Sequence, residues 1–469
     1  MDLIDYREVG IGAIAAQVRS GERSAEEIAR ATLARIERDD PRLNAFVARL
    51  PDEQVLAQAR AVDARVAAGE DPGLLAGVAV GVKDLEDVVG LRTTYGSALW
   101  ADAPPATRDS LAVTRMRAAG AVIVGKTNTP EFGCKGACDN PLFGATANPW
   151  NLAYSPGGSS GGSAAALAAG LVPLATGSDG GGSIRIPASV CGLSGFKASQ
   201  GRVPLADPSG PTTGVLAVRG PMARTLRDTV IALDAMRGDD PRDIFGLPDE
   251  GGSWLEAFDA RRPPERVIWS PGLGYTQIDD DVRAVCETAL QALRDAGVEV
   301  IEREQILSEH PLAHWWAMWT AAMARKLGDR IGTDDWEKID PPLRDMIEFG
   351  MKVTGADYAR ALDAAHTFNM ELEAAFADAP LILSATCAGR TPRTGEPGIV
   401  NGLPTAAWVE MTFGINMTRN PAATVHAGLD PAGMPVGLQV IGRQRTDVGV
   451  LCGAGFIEEI LGGPGVCPF

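Results

Sequence analysis

Short, wholly apolar runs alternate along this chain with amphipathic stretches. Residues 78–82 and 121–124 have the length and composition of buried strands, and residues 111–119 between them read as a helix. Residues 164–169 read as a helix that follows a glycine loop, 171–175 as a strand, and 436–441 as a strand near the end. Toward the start, Ser24 and Glu27 form a capping box, and Ile28, Thr32 and Ile36 then recur at helical spacing. Asp40-Pro41 closes that helix, and the polar, alanine-rich residues 52–68 predict another. Strands alternating with helices predict an α/β layer structure. Residues 240–380 are more helical, richer in tryptophan and free of glycine motifs. No internal repeat breaks the chain, so one domain over residues 1–469 is expected, with a variable helical middle.

Charge removes some functions from consideration. The formal net charge is −17, and an acidic chain repels phosphate backbones, so nucleic acid is not an expected partner. The most apolar stretch, residues 164–175, contains Gly170 and Pro173 and is shorter than the roughly 20 residues of a membrane span. Residues 1–20 open with acidic side chains and lack a basic segment followed by an apolar block, so a cytoplasmic protein is expected. Seven cysteines are scattered without a zinc spacing. They are expected to be reduced thiols, with no metal and no cofactor. A monomer and a homodimer both remain open.

The chemistry concentrates in residues 157–187, GGSSGGSAAALAAGLVPLATGSDGGGSIRIP. Two glycine–serine blocks flank a helix and a strand. Glycine permits sharp turns and leaves backbone N–H groups open, and such groups can hold a developing oxyanion. Gly180-Gly181-Gly182-Ser183 is an array of this kind with a hydroxyl at its end. A nucleophilic serine needs a base. The four histidines, His310, His314, His366 and His426, all lie beyond residue 300. Lys83 ends an apolar strand and precedes Asp84. A poorly solvated lysine loses its proton near neutral pH and then serves as a general base, as in Ser–Lys variants of the catalytic triad.

Four segments in this order, GVAVGVKDLEDVVGLRTTYGS, GAVIVGKTNTPEFG, GGSSGGSAAALAAG and GSDGGGSIRIPAS, resemble the amidase signature family, and GMPVGLQVIG resembles the family's closing strand. Residues 70–205 form the signature core of that resemblance. It implies an α/β/α layered fold around a large mixed β-sheet. It also implies roles: Lys83 as the catalytic lysine, Ser159 as a relay serine held by a cis peptide bond after Gly158, and Ser183 as the nucleophile. Backbone N–H groups from Gly180 to Ser183 would form the oxyanion hole. Asp179 and Arg185 would brace the loop, with Gly158 and Ser160 in support. The activity implied is hydrolysis of amides with aryl or small-amine leaving groups through an acyl-enzyme, with esters and carbamates within reach. The expected partner is therefore a small-molecule amide or carbamate. Two alternatives accompany it: a urethanase-type carbamate hydrolase, and the glutamine-hydrolysing component of a tRNA-dependent amidotransferase complex.

Three further patterns compete for attention. Residues 120–127 match GxxxxGK[ST], but their interior, Ala-Val-Ile-Val, prefers a strand to a phosphate-wrapping loop. Residues 158–162 fit GxSxG with Ser160 as nucleophile, which leaves the second glycine block without a purpose. Trp315 and Trp319 lie one helical turn apart beside Trp316 and Met318. Core packing accounts for such a cluster; the functional reading is an aryl-pocket wall in the 240–380 region.

Overall fold

A computed structural model describes residues 5–206 and 215–469 of the chain. Most of its strands assemble into two mixed sheets, beside two short two-stranded ribbons. The first is built from β1 (Phe46–Arg49), β2 (Ala79–Lys83), β3 (Val122–Thr127) and β4 (Leu174–Asp179). The second begins with the short β5 (Gly195–Lys197), and the first is completed by β6 (Val218–Ala223). β7 (Arg266–Trp269), β8 (Glu299–Glu302), β9 (Leu381–Ala385), β10 (Ala422–Leu429) and β11 (Pro435–Gly442) then complete the second. In space the first sheet runs β1-β3-β2-β4-β6 and the second β8-β7-β9-β11-β10-β5. Strand β2 is parallel to both β3 and β4, whereas β6 is antiparallel to β4. The large mixed β-structure expected is thus present in two parts, one of five strands and one of six. Their edges meet where the Ser194 N–H donates to the Arg224 carbonyl at 3.1 Å, next to β5 and β6.

Every residue of β2 and β3 is buried. Such strands read as continuous apolar runs because helices cover both sheet faces. The apolar stretches at 78–82 and 121–124 were legible for this reason. The expected strand at 171–175 is displaced: β4 begins at Leu174, after a turn through Gly170 and Pro173, and continues through Gly177-Ser178-Asp179. Pairing with β6 out to Asp179↔Val218 holds residues in the strand that lack apolar character. The middle region is also less purely helical than its texture implies, since β7 and β8 lie within it and join the C-terminal strands. Its long helices include Leu312–Leu327, Pro341–Gly350 and Gly355–Ala375. Among the described residues no helix is long and apolar enough to cross a membrane.

The first expected helix forms as Ala25–Asp39 with both halves of its capping box: Glu27 N–H to Ser24 Oγ at 3.1 Å, and Ser24 N–H to Glu27 Oε2 at 3.0 Å. Asp63 accepts the neighbouring N–H groups of Ala25 and Glu26 at 2.6 and 3.1 Å, so Ser24 serves one donor of several. Ser24→Ala is therefore expected to cost about 0.5–1 kcal/mol, the lower half of the usual capping range. A fall in urea midpoint that, multiplied by an unchanged slope, gives a loss of that size is the measurement; no fall would assign the whole cap to Asp63.

Candidate active site

Strand β2 delivers Lys83 to the C-terminal edge of the first sheet, where α/β folds place their ligand crevices. The Lys83 side chain is fully buried. Its Nζ lies 2.7 Å from Ser159 Oγ, 2.8 Å from Ser160 Oγ and 3.0 Å from Ser178 Oγ. The three partners are all hydroxyls, and none of them balances an ammonium charge. Burial is the largest influence and pulls the Lys83 pKa down to about 7. Glu86 and Asp179 oppose it from a distance, while Arg219 adds to it. The nearby Cys138 thiol, pushed up to about 11 by burial, is neutral when Lys83 titrates. Lys83 thus has the electrostatic setting of a general base.

The first glycine–serine block places Ser159 and Ser160. The peptide bond between Gly158 and Ser159 is cis. A Cβ at Gly158 would lie 2.4 Å from the Ala137 carbonyl oxygen, so only glycine fits there. Ser160 precedes the helix Gly161–Ala168. The GxSxG reading would pair Ser160 with a histidine, but Ser160 faces Lys83 and His426 packs beside Trp150, ring centroids 6.1 Å apart.

The second block hangs on a buried ion pair. Asp179 closes β4, and Arg185 grips it with two parallel bonds, Nη2 to Oδ1 at 2.8 Å and Nε to Oδ2 at 2.9 Å. Both side chains are completely shielded. Burial alone would raise the Asp179 pKa, but Arg185, Lys197 and Asn416 outweigh it and hold the carboxyl well below the usual range. Arg185 also donates to Gln439 Oε1 and Asn416 Oδ1, each at 2.6 Å. Asp179 and Arg185 thus tie the second block to Gln439 and Asn416.

One expectation changes. The Gly182 N–H donates to Asp179 Oδ1 at 2.8 Å and is occupied, so it does not belong to an open oxyanion array. The N–H groups of Gly180, Gly181 and Ser183 donate to no protein acceptor among the described residues. Their orientation follows from the carbonyls across each trans peptide, since N–H and C=O point oppositely. The Asp179 carbonyl accepts from Asn416 Nδ2 at 2.8 Å, that of Gly180 from Trp315 Nε1 at 2.8 Å, and that of Gly182 from the Ile186 N–H at 2.7 Å. Each bond turns the opposite N–H away from the scaffold. The Gly181 carbonyl is fixed in turn by Thr412 Oγ1 at 2.7 Å.

Ser183 is half-buried, and its carbonyl accepts from the Ser160 N–H at 3.3 Å. The structure therefore joins the two glycine blocks through backbone and joins Lys83 to Ser159 through side chains. It forms no hydrogen bond from the Ser183 hydroxyl among the described residues. Catalytic contacts of this kind commonly tighten only with substrate in place.

Several groups at this site carry no signal that sequence reasoning could use. Ser178 lies inside the second block, but nothing in the spacing aims it at Lys83. Asn416 and Gln439 are more than 200 positions from Asp179 and stand in no local pattern. Trp315 and Trp319 are conspicuous in the sequence, though their landing place is not. Their rings stack with centroids 5.5 Å apart, and Trp315 stacks on Phe413 at 4.3 Å. A Cβ on Gly180 would meet Trp319 at 2.8 Å, and one on Gly181 would meet Trp315 at 2.6 Å. The cluster is core packing that lies directly against the glycine loop. The nucleotide-like pattern resolves as strand β3, with Lys126 buried and ion-paired to Asp84 at 2.9 Å. All seven cysteines are free.

The family model described as Amidase matches residues 27–451. An acylamidase of Rhodococcus erythropolis is 38% identical over 458 residues, covering 95% of this chain and 94% of its own. A putative amidase of Mycobacterium tuberculosis is 35% identical over 468 residues, covering 98% of this chain and 97% of its own. In Synechococcus elongatus, a component chain of the glutamyl-tRNA(Gln) amidotransferase is 35% identical, covering 92% and 93% of the two chains. The crystal structure of a bacterial aryl acylamidase belonging to the amidase signature enzymes superimposes with a TM-score of 0.89 at 28% identity, covering 96% of each chain.

Removing one member of the shielded Asp179–Arg185 pair leaves an uncompensated buried charge, which costs about 3–5 kcal/mol. Arg185→Ala is expected to lose stability on that scale in chemical denaturation. A loss under about 1 kcal/mol would mean that water enters and solvates Asp179.

Proposed function

Because the chain belongs to the amidase signature family and is an amide-hydrolysing enzyme, we propose that it cleaves amides with aryl or small-amine leaving groups through an acyl-enzyme on Ser183. The observation that carries this reading is the 2.7 Å approach of the desolvated Lys83 amine to the Ser159 hydroxyl. Neutral Lys83 takes the Ser159 proton, and Ser159 takes that of Ser183. The Ser183 oxygen attacks the carbonyl carbon. The oxyanion is held by N–H groups among Gly180, Gly181 and Ser183. As the C–N bond breaks, the proton returns through Ser159 to the leaving amine. Water then hydrolyses the ester on Ser183 by the same relay.

The stacked Trp315, Trp319 and Phe413 rings beside the glycine loop support an apolar wall for the acyl portion of the substrate. Carbamates and esters pass through the same tetrahedral oxyanion, so carbamate cleavage belongs to the proposal. The 35% likeness to an amidotransferase component favours a second reading, in which glutamine is hydrolysed only with partner chains present.

The test is 4-nitroaniline release by the purified chain from an acyl nitroanilide and from a matched alkyl carbamate. Wild type is expected to release it, with Ser183→Ala slower by at least about 10^3-fold. Release unaffected by that substitution would sink the Ser183 assignment. Ammonia from glutamine only after partner chains are added would favour the second reading.

The Lys83 setting also fixes a pH profile. Its pKa is depressed to about 7, so the amine is protonated and inactive below that value. kcat/KM is expected to fall about tenfold per pH unit below roughly pH 6 and to level off above pH 8. A flat profile from about pH 5 to 9 would exclude lysine as the base.

A further inference from the structure

The helix Leu312–Leu327 packs against the glycine loop of the site. Trp315, Trp319 and Lys326 share one face of it, because their spacings of four and seven residues return to nearly the same azimuth. Its two tryptophans rest on Gly180 and Gly181. Two turns beyond Trp319, about 10.5 Å along the axis, Lys326 reaches over another part of the site. Its amine sits 4.8 Å from the Phe132 ring centroid and 5.1 Å from that of Tyr95. Those rings stack on each other at 5.2 Å, and Trp100 meets both edge-on. Phe132 leads into Gly133, where a Cβ would come within 3.0 Å of Ser159 Oγ. Lys326 therefore stands over the Ser159 side of the site.

Two features set this corner apart from ordinary surface. Tyr95 and Phe132 both adopt left-handed backbone conformations, φ +58° and +50°. Bulky residues rarely do so, and such conformations cluster at ligand clamps. Lys326 also differs from Lys135 and Lys338, which are paired with aspartates. Among the described residues its contacts are ring faces with no carboxylate. Lys326 is exposed to solvent as a residue; partial desolvation where its amine meets the rings, followed by the charges of Arg219 and Arg325, draws its pKa below the ordinary lysine value. Arg219 lies directly across from Ser178 in the β4–β6 ladder and is ion-paired to Glu86 at 3.8 Å.

We propose that Lys326 is a specificity-determining residue that receives a carboxylate carried on the leaving amine of the substrate. The inference rests on the reading given above. Ser159 returns the proton to the leaving amine, so the leaving amine occupies the Ser159 side, and that is the side Lys326 overlooks. The aromatic faces hold the ammonium without neutralising it, as cation–π contacts do. The tryptophan end of the same helix stays free for the acyl portion. The preferred substrates are then acylated aminobenzoates or acylated amino acids, in preference to uncharged anilides.

The test compares three N-acetyl anilides: acetanilide, the 4-carboxylate and its methyl ester. Each is assayed with wild type, Lys326→Met, Lys326→Arg and Ser183→Ala. The ratio of kcat/KM for carboxylate over ester is expected to fall about tenfold in Lys326→Met, the scale of one charge-assisted contact. Lys326→Arg is expected to keep the ratio within about threefold. Both substrates are read on one preparation, so general damage to a variant cancels in the ratio. An unchanged ratio in Lys326→Met, with acetanilide turned over, overturns the inference and leaves the hydrolase reading standing. Turnover of all three that survives Ser183→Ala, or no turnover by wild type, overturns the reading beneath it.

Discussion

The site depends on one buried amine that is given hydrogen bonds but no counter-charge. The adjacent strands make the point by contrast. Lys83 and Lys126 stand on neighbouring strands one position out of register, and so on opposite faces of the sheet, since β2 and β3 pair Val82 with Lys126 and Lys83 with Thr127. Both are fully buried. Lys126 meets the Asp84 carboxylate at 2.9 Å and forms an ion pair within the scaffold. Lys83 meets three hydroxyls, which can each donate or accept and so satisfy an amine in either state without favouring the charged one. Burial then decides, and it favours the neutral form. Moving a single carboxylate from one lysine to the other would exchange a base for a structural cation. The assignment of Asp84 to Lys126 therefore keeps Lys83 available as much as the hydroxyls do.

The second constraint concerns the glycine loop, which must stay rigid without side chains of its own. Its rigidity is borrowed. The Asp179 carboxylate caps three N–H groups, those of Gly182, Ile184 and Arg185, from inside the turn. Arg185 ties that carboxylate to Gln439 on β11 and to Asn416 in the helix Phe413–Met417. Asp179 belongs to the first sheet and Gln439 to the second, so the loop is pinned where the sheets meet. The same capping that stiffens the turn removes Gly182 from the donors, and tethered carbonyls turn the remaining N–H groups outward. Preorganised donors of this kind need no reorganisation when charge develops on a bound carbonyl.

How much of this was legible followed the range of the interactions. The buried strands β2 and β3 and the capping box at Ser24 are set by neighbours in sequence and stand where the pattern puts them; the helix after the glycine block also forms but begins three residues early, at Gly161. Strand β4 does not, because its second half is held by a ladder partner roughly 40 residues away and contains Gly177, Ser178 and Asp179. Lys83, Ser159 and Ser183 are marked by motif order, which says which residues matter but not which atoms touch. The occupancy of the Gly182 N–H, the approach of Ser178 to Lys83, and the grip of Thr412, Asn416 and Gln439 are tertiary facts with no local pattern. The middle region shows the same limit: its tryptophans are visible in the sequence, while their seat on Gly180 and Gly181 is not.

That seat explains how the chemistry and the choice of substrate are kept apart. In the proposed mechanism, everything that would move protons or hold the oxyanion comes from residues 83–185, tied to the sheets. Everything that would sort substrates comes from the helix Leu312–Leu327 laid over it and from the Tyr95–Phe132 stack opposite. The helix touches the reaction centre through glycine backbone and one indole hydrogen bond to the Gly180 carbonyl. Its outer positions, Lys326 among them, can therefore change character without disturbing the amine, the hydroxyls or the aspartate–arginine fork. Glycine at 180 and 181 is what permits this, since a side chain at either position would push the tryptophans, and the helix with them, away from the site. The absence of side chains in the loop thus serves two ends: it opens N–H groups on one side and lets a separate layer of the fold set the walls on the other.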